Sequence, residues 1–367
     1  MPVNPLANDS STARVRRPLF EVSFGGAGAG SPSPTTALSG DGSDPWLQHV
    51  VAVSVDLAVA PSVNSVVVAL AAGPQAPTVA PGDEGTVSLG YEDGGAELLF
   101  TGTVESVTHS IHGQIRVVAT DGGAALSRLR VNQSFEQQTA GDIVRDLASR
   151  VDVGTDTIQD GLDFPFYVVD DRRSAYDHIA ALGRISGCQT SFTPEGKLSF
   201  APFPDGQAVQ TFVYGEDILA LEVTQAKPIL TGTTAIGEGA AGSQGQEAWS
   251  WLVKDPSSVK GTSGETTLER LAPDPTLRSQ EAAASAAEAL LGNASRLNVT
   301  GRMLVPGAPA VLAACTVEIS GTPFDALNGA VQVLGVRHRY SKRDGLTTLI
   351  HFSRGGNNGS GGLGGVP

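Results

Sequence analysis

Residue types that do chemistry are present in this chain, but not in working arrangements. Six histidines are scattered over 367 residues. His109 and His112 make a His-x-x-His pair at an expected strand end. Residues three apart on a strand point to opposite faces, so joint metal ligation would need an irregular loop. His338 falls on the apolar side of an expected hairpin and reads as a satisfied, partly buried imidazole. Asp170-Asp171 precede an expected helix and read as turn or capping residues. A carboxylate pair for glycoside hydrolysis needs a cleft, and the sequence selects no pair. There is no Gly-x-Ser-x-Gly elbow and no His-Glu-x-x-His. Gly196-Lys197 lacks the upstream Gly and the following Ser/Thr of a phosphate loop. The GGAGAGS run from Gly25 has no strand-turn-helix context and reads as a loop. Two cysteines, Cys188 and Cys315, exclude a disulfide framework and offer no zinc spacing. They read as buried free thiols. The expectation is therefore no catalytic, cofactor or metal site.

What remains is a pattern of charge on a strand. Gly329 to Arg354 reads as a long β-hairpin with Asp344-Gly345 in its turn. Its alternation changes parity at Leu334-Gly335, which predicts a β-bulge there. A two-residue Asp-Gly loop would set Arg339 opposite Ile350 and mix charge into the apolar face. A three-residue loop, Arg343-Asp344-Gly345 with Gly345 left-handed, sets Val336 opposite Phe352 and His338 opposite Ile350. That register gathers the apolar residues on one face. The other face then carries Arg337, Arg339 and His351. These three are the candidate interface or lumen residues.

The formal charge of −14 does not suit wrapping of duplex nucleic acid, where affinity comes mainly from phosphate neutralisation. Aromatic content is 5%, while 45 residues are glycine, which favours thin β layers over one large aromatic core. The start shows no signal peptide and no run of ~20 apolar residues spans a membrane. The expectation is a chain folded in the cytoplasm.

Taken in order, residues 1–17 read as a flexible arm. From 18 to 124, about six alternating strands predict a small antiparallel barrel. Residues 125–204 read as an α+β unit. Thr139-x-x-Asp142 and Ser174-x-x-Asp177 open its helices with capping boxes, and Gly187 closes the second helix. Residues 205–354 read as a second barrel, with an inserted segment and helix at about 237–295. The insertion carries an apolar island at Trp249, Trp251, Leu252 and Val253, then an alanine helix over Ser279–Leu291 ended by Gly292-Asn293. Residues 355–367 read as a flexible Gly-rich tail. The fold class is mainly β with α+β: two small tube-protein-like antiparallel β-barrels flanking an α+β unit.

Several motifs then combine. Pro81-Gly82-Asp83, Val87-Ser88-Leu89-Gly90-Tyr91 and Leu99-Phe100-Thr101-Gly102-Thr103-Val104 resemble, in that order, the first barrel of the phage tail hub proteins. Thr139 to Leu147, Tyr167 to Ser174, Ile179 to Gly187 and the hairpin Ala330 to Arg354 are similar to later parts of the same family. It includes the late-control D proteins of contractile phages and the N-terminal part of the VgrG spikes of type VI secretion. The resemblance spans roughly Phe20 to Arg354.

It implies a structural baseplate hub with no cofactor. The hub would be a homotrimer that adapts a hexameric inner tube to a trimeric spike. After Arg354 there is no room for a neck or needle, so the spike is expected to be a separate protein. Expected partners are that spike, the inner tube or a tube-initiator protein, and other baseplate proteins. Neither direct nucleic-acid recognition nor membrane insertion is expected. Assembly would be cytoplasmic, followed by incorporation into a phage-tail-like particle or virion. Two rivals stand beside this reading: a tail-associated cell-wall hydrolase and a surface glycan-binding β protein.

Overall fold

The structure, a computed structural model, describes residues 16–25, 44–204, 207–237, 259–324 and 327–354. Most of the N-terminal arm, most of the 25–44 loop, the Trp249–Val253 island and the 355–367 tail lie outside the described residues.

The chain opens with β1 (Pro18–Phe24), a short α1 (Pro45–His49), β2 (Val50–Ala58), β3 (Ser65–Ala71), β4 (Glu84–Tyr91), β5 (Gly95–Ser110) and β6 (Gln114–Thr120). An α+β unit follows: α2 (Gly122–Arg128), β7 (Gln133–Thr139), α3 (Ala140–Ser149), β8 (Thr155–Ile158), β9 (Asp163–Val169), α4 (Ala175–Ser186), β10 (Gln189–Phe192) and β11 (Leu198–Ala201). Next come β12 (Thr211–Val213), β13 (Ala220–Gln225), β14 (Gly232–Ile236), β15 (Lys260–Gly264), β16 (Glu269–Pro273) and α5 (Gln280–Arg296). The chain closes with β17 (Val299–Pro306), β18 (Thr316–Ser320), β19 (Gly329–Ser341) and β20 (Gly345–Ser353). The protein is mainly β and largely antiparallel, as expected.

Strands from both β regions lie in one 12-stranded sheet; ten follow the path β1-β4-β5-β6-β3-β2-β19-β20-β17-β13, and β18, paired with β19, carries β12 off that path. The junction between the regions is β2 against β19, with Val336 opposite Leu57 and Tyr340 opposite Val53. One apolar core crosses it. Val53 and Val55 of the first region are buried in the same cluster as Val336, Ile350 and Phe352 of the second. The rings of Phe20 and Tyr340 meet at 4.7 Å. A sheet with one buried face must alternate apolar and polar residues along each strand, and β19 does so on either side of its bulge.

The bulge has a structural reason. The register of β19 against β20 shifts between Val333 and Gly335, where the sequence parity changes. Before it, β19 pairs with β18 over Gly329–Gln332. After it, the same edge pairs with β2 over Gly335–Ser341. The Leu334 carbonyl accepts from Val59 N at 3.0 Å. The extra residue lets one strand change partners.

The turn differs by one residue from expectation. Ser341 pairs with Gly345, so the three-residue loop is Lys342-Arg343-Asp344. The Ser341 hydroxyl accepts from Asp344 N at 2.8 Å and closes the loop. Gly345 is left-handed (φ 77°) as expected. Val336 therefore faces Ile350 and His338 faces Thr348. A shift of two residues keeps every side chain on its expected face. In β2, a register shift between Val50 and Ala52 buries Val50 and exposes Val51, against simple alternation.

Both capping boxes form. Thr139 accepts from Asp142 N at 3.0 Å, and Asp142 accepts from Thr139 N at 3.2 Å. Ser174 and Asp177 repeat the exchange, and Gly187 caps α4 at φ 71°. α5 runs past Gly292-Asn293 to Arg296, not ending at Leu291 as expected. Asn293 is held in the helix by donating to the Arg184 carbonyl at 3.0 Å. The alanine face of α5 (Ala283, Ala286, Ala287) is buried in the core of the α+β unit, with Ala235 of β14. Close approach sets that choice: a Cβ on Gly261 of β15 would lie 2.1 Å from the Ala283 backbone.

Candidate interaction face

The hairpin β19–β20 presents two unlike faces. On the inner face His338 is fully buried. Its Nε2 donates to the Val311 carbonyl at 3.0 Å, and its Nδ1 accepts from the Thr348 hydroxyl at 3.0 Å. That is the complete hydrogen-bond capacity of a neutral imidazole. Burial pushes its pKa down to about 4, and the Val311 bond only partly opposes this.

On the outer face Arg337, Arg339 and His351 are all exposed. The sheet brings three further charged residues beside them. Arg337 pairs with Asp56 of β2, across the junction of the two β regions. Arg302 of β17 lies opposite His351 and pairs with Glu222 of β13 at 2.6 Å. Arg339 faces Ser54 and Thr347 across the two neighbouring strands. The face is thus a stripe of Glu222, Arg302, His351, Arg337 and Asp56 running across five neighbouring strands drawn from both β regions. Exposed ion pairs of this kind contribute roughly 0–1 kcal/mol, so the stripe sets surface charge more than stability. The basic side was legible from parity. Its acidic partners were not, because Asp56 lies 281 residues from Arg337.

The remaining reactive types fall elsewhere. His109 is the next-to-last residue of β5 and His112 sits in the following turn, both exposed. Among the described residues no group of three or more His, Cys, Asp or Glu is arranged to hold a metal. The Asp170 carboxylate accepts from Arg172 N at 3.0 Å and from its guanidinium, which holds its pKa down at about 2. Burial pushes the thiols of Cys188 and Cys315 up to about 11, far from the low values of reactive cysteines. Among the described residues no helix is long and apolar enough to cross a membrane.

No family model and no curated protein matches the sequence. Solved structures do match the fold. A 43 kDa tail protein of prophage MuSo2 from Shewanella oneidensis superposes with a TM-score of 0.67 at 12% identity, covering 92% of this chain and 98% of that one. A tail protein from Neisseria meningitidis gives 0.64 at 13%, over 83% and 92%. An E. coli type VI secretion component, described as similar to the T4 bacteriophage tail proteins gp27 and gp5, gives 0.56 at 10%, over 84% and 74%. The chain therefore has the fold of phage tail and type VI secretion structural proteins.

Proposed function

We propose that this protein is a structural baseplate hub of a phage tail or contractile injection system. It acts as a homotrimer that adapts a hexameric inner tube to a separate trimeric spike. Its partners are the spike, the tube or its initiator, and other baseplate proteins, and it performs no catalysis. It is assembled in the cytoplasm before joining the particle.

The observation that supports this most is the sheet path. Every junction along it is antiparallel. Strand directions therefore alternate, and the terminal strands β1 and β13 run in opposite senses. Among the described residues each pairs on one side only. A free edge is a template for another strand. In a head-to-tail ring, β13 of one copy would meet β1 of the next antiparallel, repeating the β2–β19 junction inside each chain. Two β regions per copy then give a threefold ring with sixfold-like spacing. In that ring the stripe through Arg337, Arg339 and His351 turns toward the lumen or the neighbouring copy.

Light scattering of the purified protein, with and without the spike, tests this. The expected mass is three times 37.6 kDa. A stable monomer under both conditions contradicts it.

A further inference from the structure

The first β region is joined to the α+β unit by a second seam, and a carboxylate lies inside it. Asp121 follows β6 and precedes α2, and is 5% exposed. Its Oδ1 accepts from Gly123 N at 2.9 Å, while its Oδ2 has no hydrogen-bond partner. Its surroundings come from both sides of the seam. From the β2–β3 turn comes Asn64, whose carbonyl accepts from Asp121 N at 3.4 Å and whose Oδ1 accepts from Ala58 N at 2.8 Å. From α4 comes Tyr176, the titratable group that faces it. From β10 comes the ring of Phe192, next to Tyr176 at 6.3 Å. Tyr176 also bridges the seam by donating to the Ser62 carbonyl at 3.2 Å. Ala60 N donates to the Thr190 carbonyl at 2.8 Å. The Arg128–Glu105 ion pair joins α2 to β5 at 2.5 Å on the exposed side of the seam, and among the described residues no cation acts on Asp121.

We propose that Asp121 makes this seam a pH-responsive hinge, held shut while its carboxyl is protonated and loosened when it ionises. The neutral acid fits a dry site walled by Tyr176 and Phe192. The carboxylate does not, because a buried charge without a partner is costly. Burial pushes the group from 3.8 up to about 7, against the smaller effects of Gly123 N and Asn64. An acid raised in the closed form is held more strongly there than in the open form. Closure is therefore strongest below about pH 4 and is lost progressively up to about pH 7.

Amide hydrogen exchange of the full chain tests this, with Ala60 reporting the seam and Val333 the β core. After correction for the intrinsic rate, the Ala60 opening constant rises by up to about a thousandfold between pH 4 and pH 8. In Asp121→Asn, which keeps a helix-capping oxygen, the Ala60 opening constant stays flat over that range. Asp121→Ser, another good cap, gives the same flat profile and serves if the first variant does not fold. An unchanged pH slope in a folded variant overturns the proposal, as does a flat profile in the wild type.

Discussion

Two buried ionisable groups, each at or near a junction in this chain, sit in opposite circumstances. His338 lies beside the β2–β19 junction, where a strand ladder and a common core join the two β regions. Both its ring nitrogens are hydrogen-bonded. Asp121 lies at the seam between β6 and the α+β unit, with one oxygen unpartnered. One joint is a strand ladder over a shared core, the other a packed contact with few hydrogen bonds, and acid acts on their buried groups in opposite directions. His338 is held low at about 4, so it contributes stability above pH 6.5 that is lost as pH falls toward 4. Asp121 is held high at about 7, so its contribution is full below pH 4 and lost as pH rises toward 7. Over the same window the two partly cancel in a global measurement.

The largest way to break the strand-ladder joint is to empty its core. Phe352 is 2% exposed, and Phe352→Ala lowers stability by roughly 3–5 kcal/mol, read by urea unfolding. The same change leaves Ala60 exchange paced by its own seam if the two joints are as unlike as described. Removing the buried base comes next. In the wild type, His338 costs up to about 3 kcal/mol between pH 6.5 and 4. In His338→Gln that acid loss disappears, so the pH profile of unfolding tilts toward greater stability in acid. A profile that keeps the wild-type shape contradicts the assignment. In the α+β core, Gly261→Ala drives a Cβ into the Ala283 backbone and lowers the melting temperature by an amount equivalent to about 1–3 kcal/mol. Gly292 faces open space, so Gly292→Ala stabilises α5 by up to about 1 kcal/mol. The smallest effect is at the surface. Arg337→Ala breaks the pair with Asp56 and costs less than about 1 kcal/mol of monomer stability. Arg337→Glu with Arg339→Glu weakens ring assembly, and an unchanged oligomeric mass contradicts that role.

Local patterns made much of this legible. Period-2 alternation located most strands of the first β region, and the parity change at Leu334 located a bulge. Thr139 and Ser174 announced their helices because a cap needs only the next three residues. The faces of the hairpin were readable because an error of two residues in register leaves parity intact. What stayed hidden was long-range. Nothing local says that β19 leaves β18 for β2, or that Asp56 and Glu222 would neutralise Arg337 and Arg302. The short polar strands β7, β14, β15 and β16 lack the apolar alternation that marks a strand. Gly292-Asn293 looked like a helix stop because the bond from Asn293 to the Arg184 carbonyl is tertiary.

The head-to-tail ring is tested most directly by covalent capture of its edges. Glu21 or Ser23 of β1 is changed to cysteine together with Ala220, Glu222 or Thr224 of β13, all on the outward side of their strands. Mild oxidation is followed by denaturing mass analysis. The expected result is that at least one combination yields intermolecular disulfides and a product series ending at three chains. Monomer alone across all combinations, or a series that continues past three, contradicts it.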